Sequence, residues 1–149
     1  MSNGFLGFDH IDLRVRSLPA VEAFYDDFLP KLGLTRKRFA HVDAGGEWHE
    51  PNDERPYNAA EYYEEPKIGT AAFFIGVIED LATRPTATRV AFRVASRADL
   101  DMWQRELASI GAVRVEPSAE METYPALFFE DAAGTRLELC ARRPHAGGE

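Results

Sequence analysis

The sequence contains one pattern of strand, cap and helix twice, and this repeat limits the folds open to the chain. Residues 10–24 (HIDLRVRSLPAVEAF) align without a gap on residues 89–103 (RVAFRVASRADLDMW), which begin 79 positions later. His10 aligns with Arg89. Apolar residues alternate with polar ones in both strands and then recur every three or four positions in both helices. Two copies of one unit predict a fold built from two similar halves.

Each copy begins with a half-buried strand that leads into a capped helix. The first strand is predicted at residues 8–16 and the second at 88–94. Ser17 is a suitable N-cap for the first helix, because its hydroxyl can accept a bond from a free backbone N–H. Ser96 followed by Asp99 resembles a capping box at the second.

Residues 43–69 differ from the rest of the chain in composition. They are rich in glycine, proline, asparagine and acidic residues, and they are long for a connection within one domain. The pattern predicts a long loop or lid over 43–69, in which AEYYEE (60–65) favours a short strand. We expect a single domain over residues 5–145, made of two repeats at about 5–80 and 86–142.

The composition limits the partners. The chain has 17 Lys and Arg against 25 Asp and Glu, so its formal charge is −8. Nucleic acid and anionic membranes attract basic surfaces, so neither is expected as a partner. One cysteine allows no intrachain disulfide, the start of the sequence lacks the pattern of a secretory signal, and no apolar stretch is long enough to span a membrane. We therefore expect a cytoplasmic protein, and the composition says nothing positive about its substrate.

Three segments, taken in order, resemble the vicinal oxygen chelate superfamily. This superfamily includes glyoxalase I, extradiol dioxygenases, methylmalonyl-CoA epimerase and bleomycin-resistance proteins. The segments are residues 8–34, 88–112 and the closing hairpin at 124–139. The resemblance implies an α+β fold of two βαβββ repeats, whose cupped mixed sheets surround a divalent metal. It also implies a homodimer.

The resemblance implies a metal site at three positions of this sequence. His10 matches the ligand on the first strand, and Glu138 matches the ligand on the last strand and is also the candidate catalytic carboxylate. Histidine and carboxylate together suit Fe, Mn, Ni, Co or Zn. The position that often holds a second histidine is Arg89, and a guanidinium has no lone pair to donate to a metal. The metal is therefore either held by a degenerate site or absent.

Two roles remain open for Arg89. It can form a bidentate pair with Glu138, or it can bind an anionic or carbonyl-bearing ligand directly. Trp48, Tyr57 and Tyr124 are candidate substrate-binding residues, although aromatic side chains also form dimer contacts.

Two further groups of residues have simpler interpretations. His41, His49 and Glu50 form an alternative set of metal ligands, but their spacing fits no known motif. Cys140 is interpreted as a buried structural thiol, because no histidine pattern supports it as a nucleophile.

Three hypotheses for function follow. The first is a divalent-metal-dependent lyase, isomerase or dioxygenase that uses His10 and Glu138. The second is a metal-free protein that binds or sequesters a small molecule, as in resistance to a drug or natural product, with Arg89 in place of a ligand histidine. The third is a metal-free enzyme in which Arg89 is the electrophile and Glu138 the base. The sequence does not identify the substrate.

Overall fold

The computed structural model describes residues 4–143. The chain divides into two compact units between Arg84 and Pro85, close to the boundary predicted between the repeats. The elements of the first unit are β1 (His10–Val15), α1 (Leu18–Lys31), β2 (Arg36–Val42), β3 (Trp48–His49), β4 (Ala59–Tyr63) and β5 (Phe74–Glu79). Those of the second are β6 (Arg89–Arg93), α2 (Arg97–Glu106), a 3-10 turn (Leu107–Ile110), β7 (Val113–Pro117), β8 (Ala126–Glu130) and β9 (Arg136–Cys140).

Both units share one sheet topology. The strand order is β1-β5-β4-β2-β3 in the first sheet and β6-β9-β8-β7 in the second. In each sheet the first strand runs parallel to the last, and all other pairs are antiparallel. The fold is therefore α+β with two βαβββ repeats, as predicted, and the two-residue strand β3 is an addition to the first repeat.

In the first unit, helix α1 buries its apolar stripe. The Ser17 hydroxyl accepts a hydrogen bond from the backbone N–H of Ala20, as expected of an N-cap. The helix ends at Lys31, and Gly33 follows with a φ of 95°, a left-handed conformation that favours glycine. The buried helix residues are Leu18, Val21, Phe24, Tyr25, Phe28 and Leu29.

In the second unit, the predicted capping box begins helix α2. The Ser96 hydroxyl accepts from the Asp99 backbone N–H, and the Asp99 carboxylate accepts from the Ser96 backbone N–H. The helix buries Leu100 and Trp103. Its last predicted turn is a 3-10 turn that ends at Gly111, where φ is 109°.

The segment predicted as a loop or lid at 43–69 contains two strands. Strand β4 lies inside the first sheet between β2 and β5, and Ala59, Ala60 and Tyr62 are almost fully buried. The short strand predicted at 60–65 corresponds to β4, which begins one residue earlier and ends at Tyr63. The loop interpretation therefore holds only for the connections around β3 and β4.

Within residues 4–143, no helix combines the length and the apolar character needed to cross a membrane.

Candidate functional site

The strand register of the second unit brings the predicted site residues onto one sheet face. Between β6 and β9, Arg89 lies opposite Arg136 and Ala91 lies opposite Glu138. On the other side of β9, Phe128 of β8 also lies opposite Glu138. Residues directly opposite each other point to the same side of a sheet, and so do residues two apart on one strand. We call these five residues the polar face of the second unit. The opposite face carries apolar residues that are fully buried, among them Leu127, Leu137 and Leu139.

Arg89 is held by an aromatic ring. Its guanidinium carbon lies 4.6 Å from the centroid of the Phe128 ring, a cation–π distance. Within residues 4–143, no ion pair joins Arg89 to Glu138. The guanidinium therefore keeps its charge and its N–H groups for another partner.

Glu138 is buried and has a defined partner. Only 5% of its surface is exposed, and the Tyr124 hydroxyl donates a hydrogen bond of 2.6 Å to its Oε1. This bond, together with burial, raises the pKa of Tyr124 above its ordinary value. Tyr124 therefore orients the candidate catalytic carboxylate. Cys140, two residues further on, is also buried, in agreement with its interpretation as a structural thiol.

A cavity of about 260 Å³ lies at one end of the polar face. Arg89, Phe128 and Arg136 line it together with Arg114 and Glu130. The sequence analysis missed Arg114 and Arg136. Strand alternation could have found Arg136, which precedes Glu138 by two positions, but no sequence signal marks Arg114.

On the first unit, His10 lies in a row of stacked rings. It is opposite Phe74, which is in turn opposite Tyr63. The His10 and Phe74 rings are 4.6 Å apart and almost parallel, at 6°, and the Phe74 and Tyr63 rings are 4.5 Å apart. Stacking holds the His10 ring on a face where 44% of its side chain is exposed.

Acidic residues surround His10. Its Nδ1 donates to Asp9 Oδ2 at 2.7 Å, since a carboxylate can only accept, and its Nε2 lies 3.9 Å from Asp12 Oδ2. The hydrogen bond to Asp9 raises the pKa of His10, and the charges of Asp12 and Glu61 add to this effect. Nε2 is therefore the ring nitrogen that remains available.

Glu61 forms a second buried carboxylate on the same face as His10. It is 7% exposed and accepts a hydrogen bond of 2.9 Å from the Tyr63 hydroxyl. Burial and this bond raise the pKa of Tyr63 to about 12. A cavity of about 330 Å³ lies beside Glu61 and Tyr63, and Trp48 contributes to its wall.

Tyr57 lies apart from Trp48. Its hydroxyl donates to Glu22 of helix α1 at 3.3 Å, and it lines a cavity of about 470 Å³ beside that helix. The structure therefore brings Arg89, Tyr124 and Glu138 together within one unit and does not bring Tyr57 into the cavity of Trp48.

The alternative ligands His41, His49 and Glu50 have separate partners. His41 Nδ1 bonds to the carbonyl of Pro56, and Glu50 pairs with Arg38. The His49 ring instead faces the hairpin between β2 and β3, where its Nε2 lies 2.7 Å from Asp43 Oδ2.

A different set of potential ligands lies at that hairpin. Asp43, Glu47 and His49 offer ligand atoms within 4.8 Å of one another. His49 lowers the pKa of Asp43 through their hydrogen bond, and the backbone N–H groups of Gly45 and Glu47 add to the effect. Hydrogen bonds within the hairpin therefore already hold Asp43 and His49 in this arrangement.

The residues at the three positions implied by the resemblance do not fit a three-ligand metal centre. Arg89 offers no lone pair, and it places a positive charge on the face that carries Glu138. The Tyr124 hydroxyl already bonds to one oxygen of Glu138. The potential donors that remain are the other oxygen of Glu138 in the second unit and, in the first unit, Nε2 of His10.

A family model described as the Glyoxalase/Bleomycin resistance protein/Dioxygenase superfamily matches residues 7–139. No curated protein matches the chain.

Several solved structures resemble the chain. A glyoxalase/bleomycin resistance protein from Albidiferax ferrireducens T118 is 18% identical, with a TM-score of 0.59 over 92% of this chain and 98% of its own. A protein of the glyoxylase/bleomycin resistance protein/dioxygenase type from Frankia sp. EAN1pec is 21% identical, with a TM-score of 0.58 over 94% and 100%. A variant of the fosfomycin resistance protein FosX from Listeria monocytogenes, in complex with Mn(II) and 1S,2S-dihydroxypropylphosphonic acid, is 18% identical, with a TM-score of 0.53 over 94% and 93%. At these identities the likeness establishes the fold.

Proposed function

The chain belongs to the glyoxalase/bleomycin resistance protein/dioxygenase superfamily, and we propose that it binds a small organic molecule on the polar face of the second unit without a metal ion. The observation that carries this proposal is the contact between Arg89 and Phe128. A cation fixed at the position of a ligand histidine repels a metal and attracts a ligand that carries negative charge or a polarised carbonyl.

The neighbours of Arg89 support a binding role. Ala91, which lies between Arg89 and Arg93 on β6, is small and leaves space beside Glu138. The Tyr124 hydroxyl fixes the Glu138 carboxylate, so that a donor group of a ligand meets an oriented acceptor. Trp48 is a further candidate ligand contact, through the cavity that it lines. Such a protein acts by sequestering its ligand and needs no chemical step.

Metal analysis of untagged wild-type protein tests this proposal, with Arg89→His as the matched variant. We expect wild-type protein to contain far less than one equivalent of Fe, Mn, Ni, Co or Zn, and Arg89→His to gain one of these metals. A near-stoichiometric metal in the wild type that His10→Ala removes would overturn the proposal.

A metal-dependent lyase, isomerase or dioxygenase is the second candidate. It is favoured by His10, whose Nδ1 bonds to Asp9 while its Nε2 lies 3.9 Å from Asp12 Oδ2, and by the Mn(II) bound to the FosX variant. His10 and Glu138 would hold the metal, which would polarise oxygen atoms of the substrate. The same metal analysis separates the two candidates.

A metal-free enzyme is the third candidate, with Arg89 as electrophile and Glu138 as base. The fixed Glu138 carboxylate favours it, since a base must be oriented toward the proton it takes. On this hypothesis Arg89→Ala abolishes turnover and leaves the fold intact. Retained turnover in that variant would exclude it.

The superfamily resemblance also leads us to propose a cytoplasmic homodimer. Gel filtration should then give a mass near twice 16.7 kDa. Elution at the monomer mass would contradict the dimer.

A further inference from the structure

Two arginines face each other on the polar face of the second unit. Arg89 on β6 lies directly opposite Arg136 on β9, and both side chains are exposed. Neighbouring strands are only about 4.8 Å apart, and like charges placed directly opposite each other destabilise a sheet. Arg136 also lies opposite Glu130, but the ion pair that Glu130 makes is with Arg114, at 3.4 Å. Among the described residues, Glu130 therefore pairs with Arg114 and not with Arg136.

Irregular backbone brings the third arginine to the same cavity. The register between β7 and β8 shifts between Val113 and Glu116, and Arg114 has a φ of 54°. Residues other than glycine rarely adopt this left-handed backbone conformation. A bulge in a strand changes the direction in which its side chains point. Arg114 lines the same cavity as Arg89 and Arg136.

We propose that Arg89, Arg136 and Arg114 form an oxyanion site, and that the ligand of the protein carries a carboxylate or phosphate group that binds there. This inference rests on the proposed function and names the class of its ligand. Three arginines line the cavity together with two acidic residues, Glu116 and Glu130. This local excess of positive charge lies within a chain whose formal charge is −8.

The geometry of Arg89 suits an oxyanion. Its guanidinium carbon lies over the Phe128 ring, so the ring restricts the movement of the side chain. The N–H groups at the edge of a guanidinium form paired hydrogen bonds with carboxylate or phosphate oxygens. The cavity of about 260 Å³ accommodates one such group rather than a whole extended ligand.

The site adjoins the candidate catalytic carboxylate. Glu138 lies two residues beyond Arg136 on β9, which corresponds to about 7 Å along a strand. A ligand whose anionic group binds the arginines can therefore extend past Ala91 toward Glu138 and Tyr124. The ligand class is a small molecule with an oxyanion at one end and, about 7 Å away, a group that can donate a hydrogen bond to Glu138.

Isothermal titration calorimetry with inorganic phosphate and, separately, with acetate tests this site at low ionic strength. We expect saturable binding of at least one anion at one site per chain, and at least a tenfold loss of affinity in Arg136→Gln. Arg136→Lys retains the charge but not the paired N–H groups, so its affinity for the anion should lie between those of the wild type and Arg136→Gln. The matched control is Arg105→Gln, which removes the same charge from the exposed side of α2 and should change affinity less than twofold.

The two anions distinguish the sources of the oxyanion. Binding of phosphate alone assigns a phosphate-type group, and binding of acetate alone assigns a carboxylate; either supports the site. Absence of binding to both overturns it, as does an equal loss of affinity in Arg105→Gln. If Arg136→Gln does not fold by circular dichroism, Arg89→Gln provides the same comparison.

This inference can fail separately from the proposed function. A metal-free protein without anion binding would remove the oxyanion site and leave the proposed function in place. A metal that His10→Ala removes, found together with anion binding that depends on Arg136, would overturn the proposed function and leave the oxyanion site in place.

Discussion

The carboxylate of Asp12 fills the space above Gly76. A Cβ atom at Gly76 would lie 2.5 Å from Asp12 Oδ1, closer than nonbonded atoms approach. Gly76 lies opposite Asp12 in the parallel pair of the first sheet, just as Glu138 lies opposite Ala91 in the second. At matching positions in the two sheets, the first repeat carries a carboxylate on its first strand, as Asp12, and the second repeat carries one on its last strand, as Glu138.

Gly76→Ala should lower the free energy of unfolding by at most about 1 kcal/mol, the low end of overpacking costs, because the clashing atom is the end of an exposed Asp12 side chain that can rotate. The added methyl group must displace the Asp12 carboxylate, because both cannot occupy the same space. Urea denaturation of wild type and variant measures the difference.

The control for this prediction removes the Asp12 carboxylate. In an Asp12→Ala background the same Gly76→Ala change should cost much less, because Oδ1 is absent. An equal cost in both backgrounds would show that Asp12 is not the group displaced.

His10 should titrate above its ordinary pKa of about 6.5, chiefly because of its hydrogen bond to Asp9. Because the folded pKa is raised, the pairing stabilises the fold fully below about pH 6.5. That stability is lost as the pH rises through the folded pKa. NMR titration of the His10 ring measures the value.

Two variants separate the causes of this shift. Asp9→Asn should lower the pKa of His10 more than Asp12→Asn does, because the bond to Asp9 is the largest contribution. Asp53→Asn, on a remote exposed loop, is the matched control and should have no effect. A larger effect from Asp12→Asn would mean that the Asp9 contact does not persist in solution.

Tyr124→Phe should lower the free energy of unfolding by about 1–3 kcal/mol, because it leaves a buried oxygen of Glu138 without its hydrogen-bond donor. The same change at Tyr57 removes an exposed and longer hydrogen bond, to Glu22 at 3.3 Å, and should cost less. Chemical denaturation of both variants gives the comparison. If Glu138→Met, which removes the acceptor, abolishes the difference between Tyr124 and phenylalanine, then Glu138 is the partner responsible. A difference that persists would show that the Tyr124 hydroxyl has another partner.

Ser96→Ala should lower the free energy of unfolding by about 0.5–2 kcal/mol, since it removes the hydroxyl that accepts from the Asp99 backbone N–H. Ser96→Thr retains a hydroxyl and serves as the control. Thermal denaturation followed by circular dichroism compares the two. Equal stability of Ser96→Ala and wild type would contradict a stabilising role for the capping box.

Local patterns predicted most of the fold. The strand that contains Arg89 and the helix capped by Ser96 follow from side-chain alternation and from capping chemistry, both of which act over a few residues. Strand β4 was predicted as a short strand at 60–65, but its central place in the sheet was not, because Tyr62 and its neighbours become buried only when β2 and β5 pair on either side of it.

The candidate site was predicted in part. The resemblance implied that Arg89 and Glu138 lie near each other, and the strand register places both on one sheet face. The aromatic partner of Arg89, the donor to Glu138 and the backbone bend at Arg114 involve residues far apart in the sequence.

The sequence alone determined the two repeats, because each repeat depends on short-range periodicity and on capping chemistry. The family resemblance implied the βαβββ topology and marked position 89 as one that often holds a histidine. Only the tertiary structure decided that Arg89 contacts Phe128 rather than Glu138 and that Arg136 lies opposite it. Register and cavity shape arise from pairing between distant strands, and the charge around a side chain depends on which strands become neighbours.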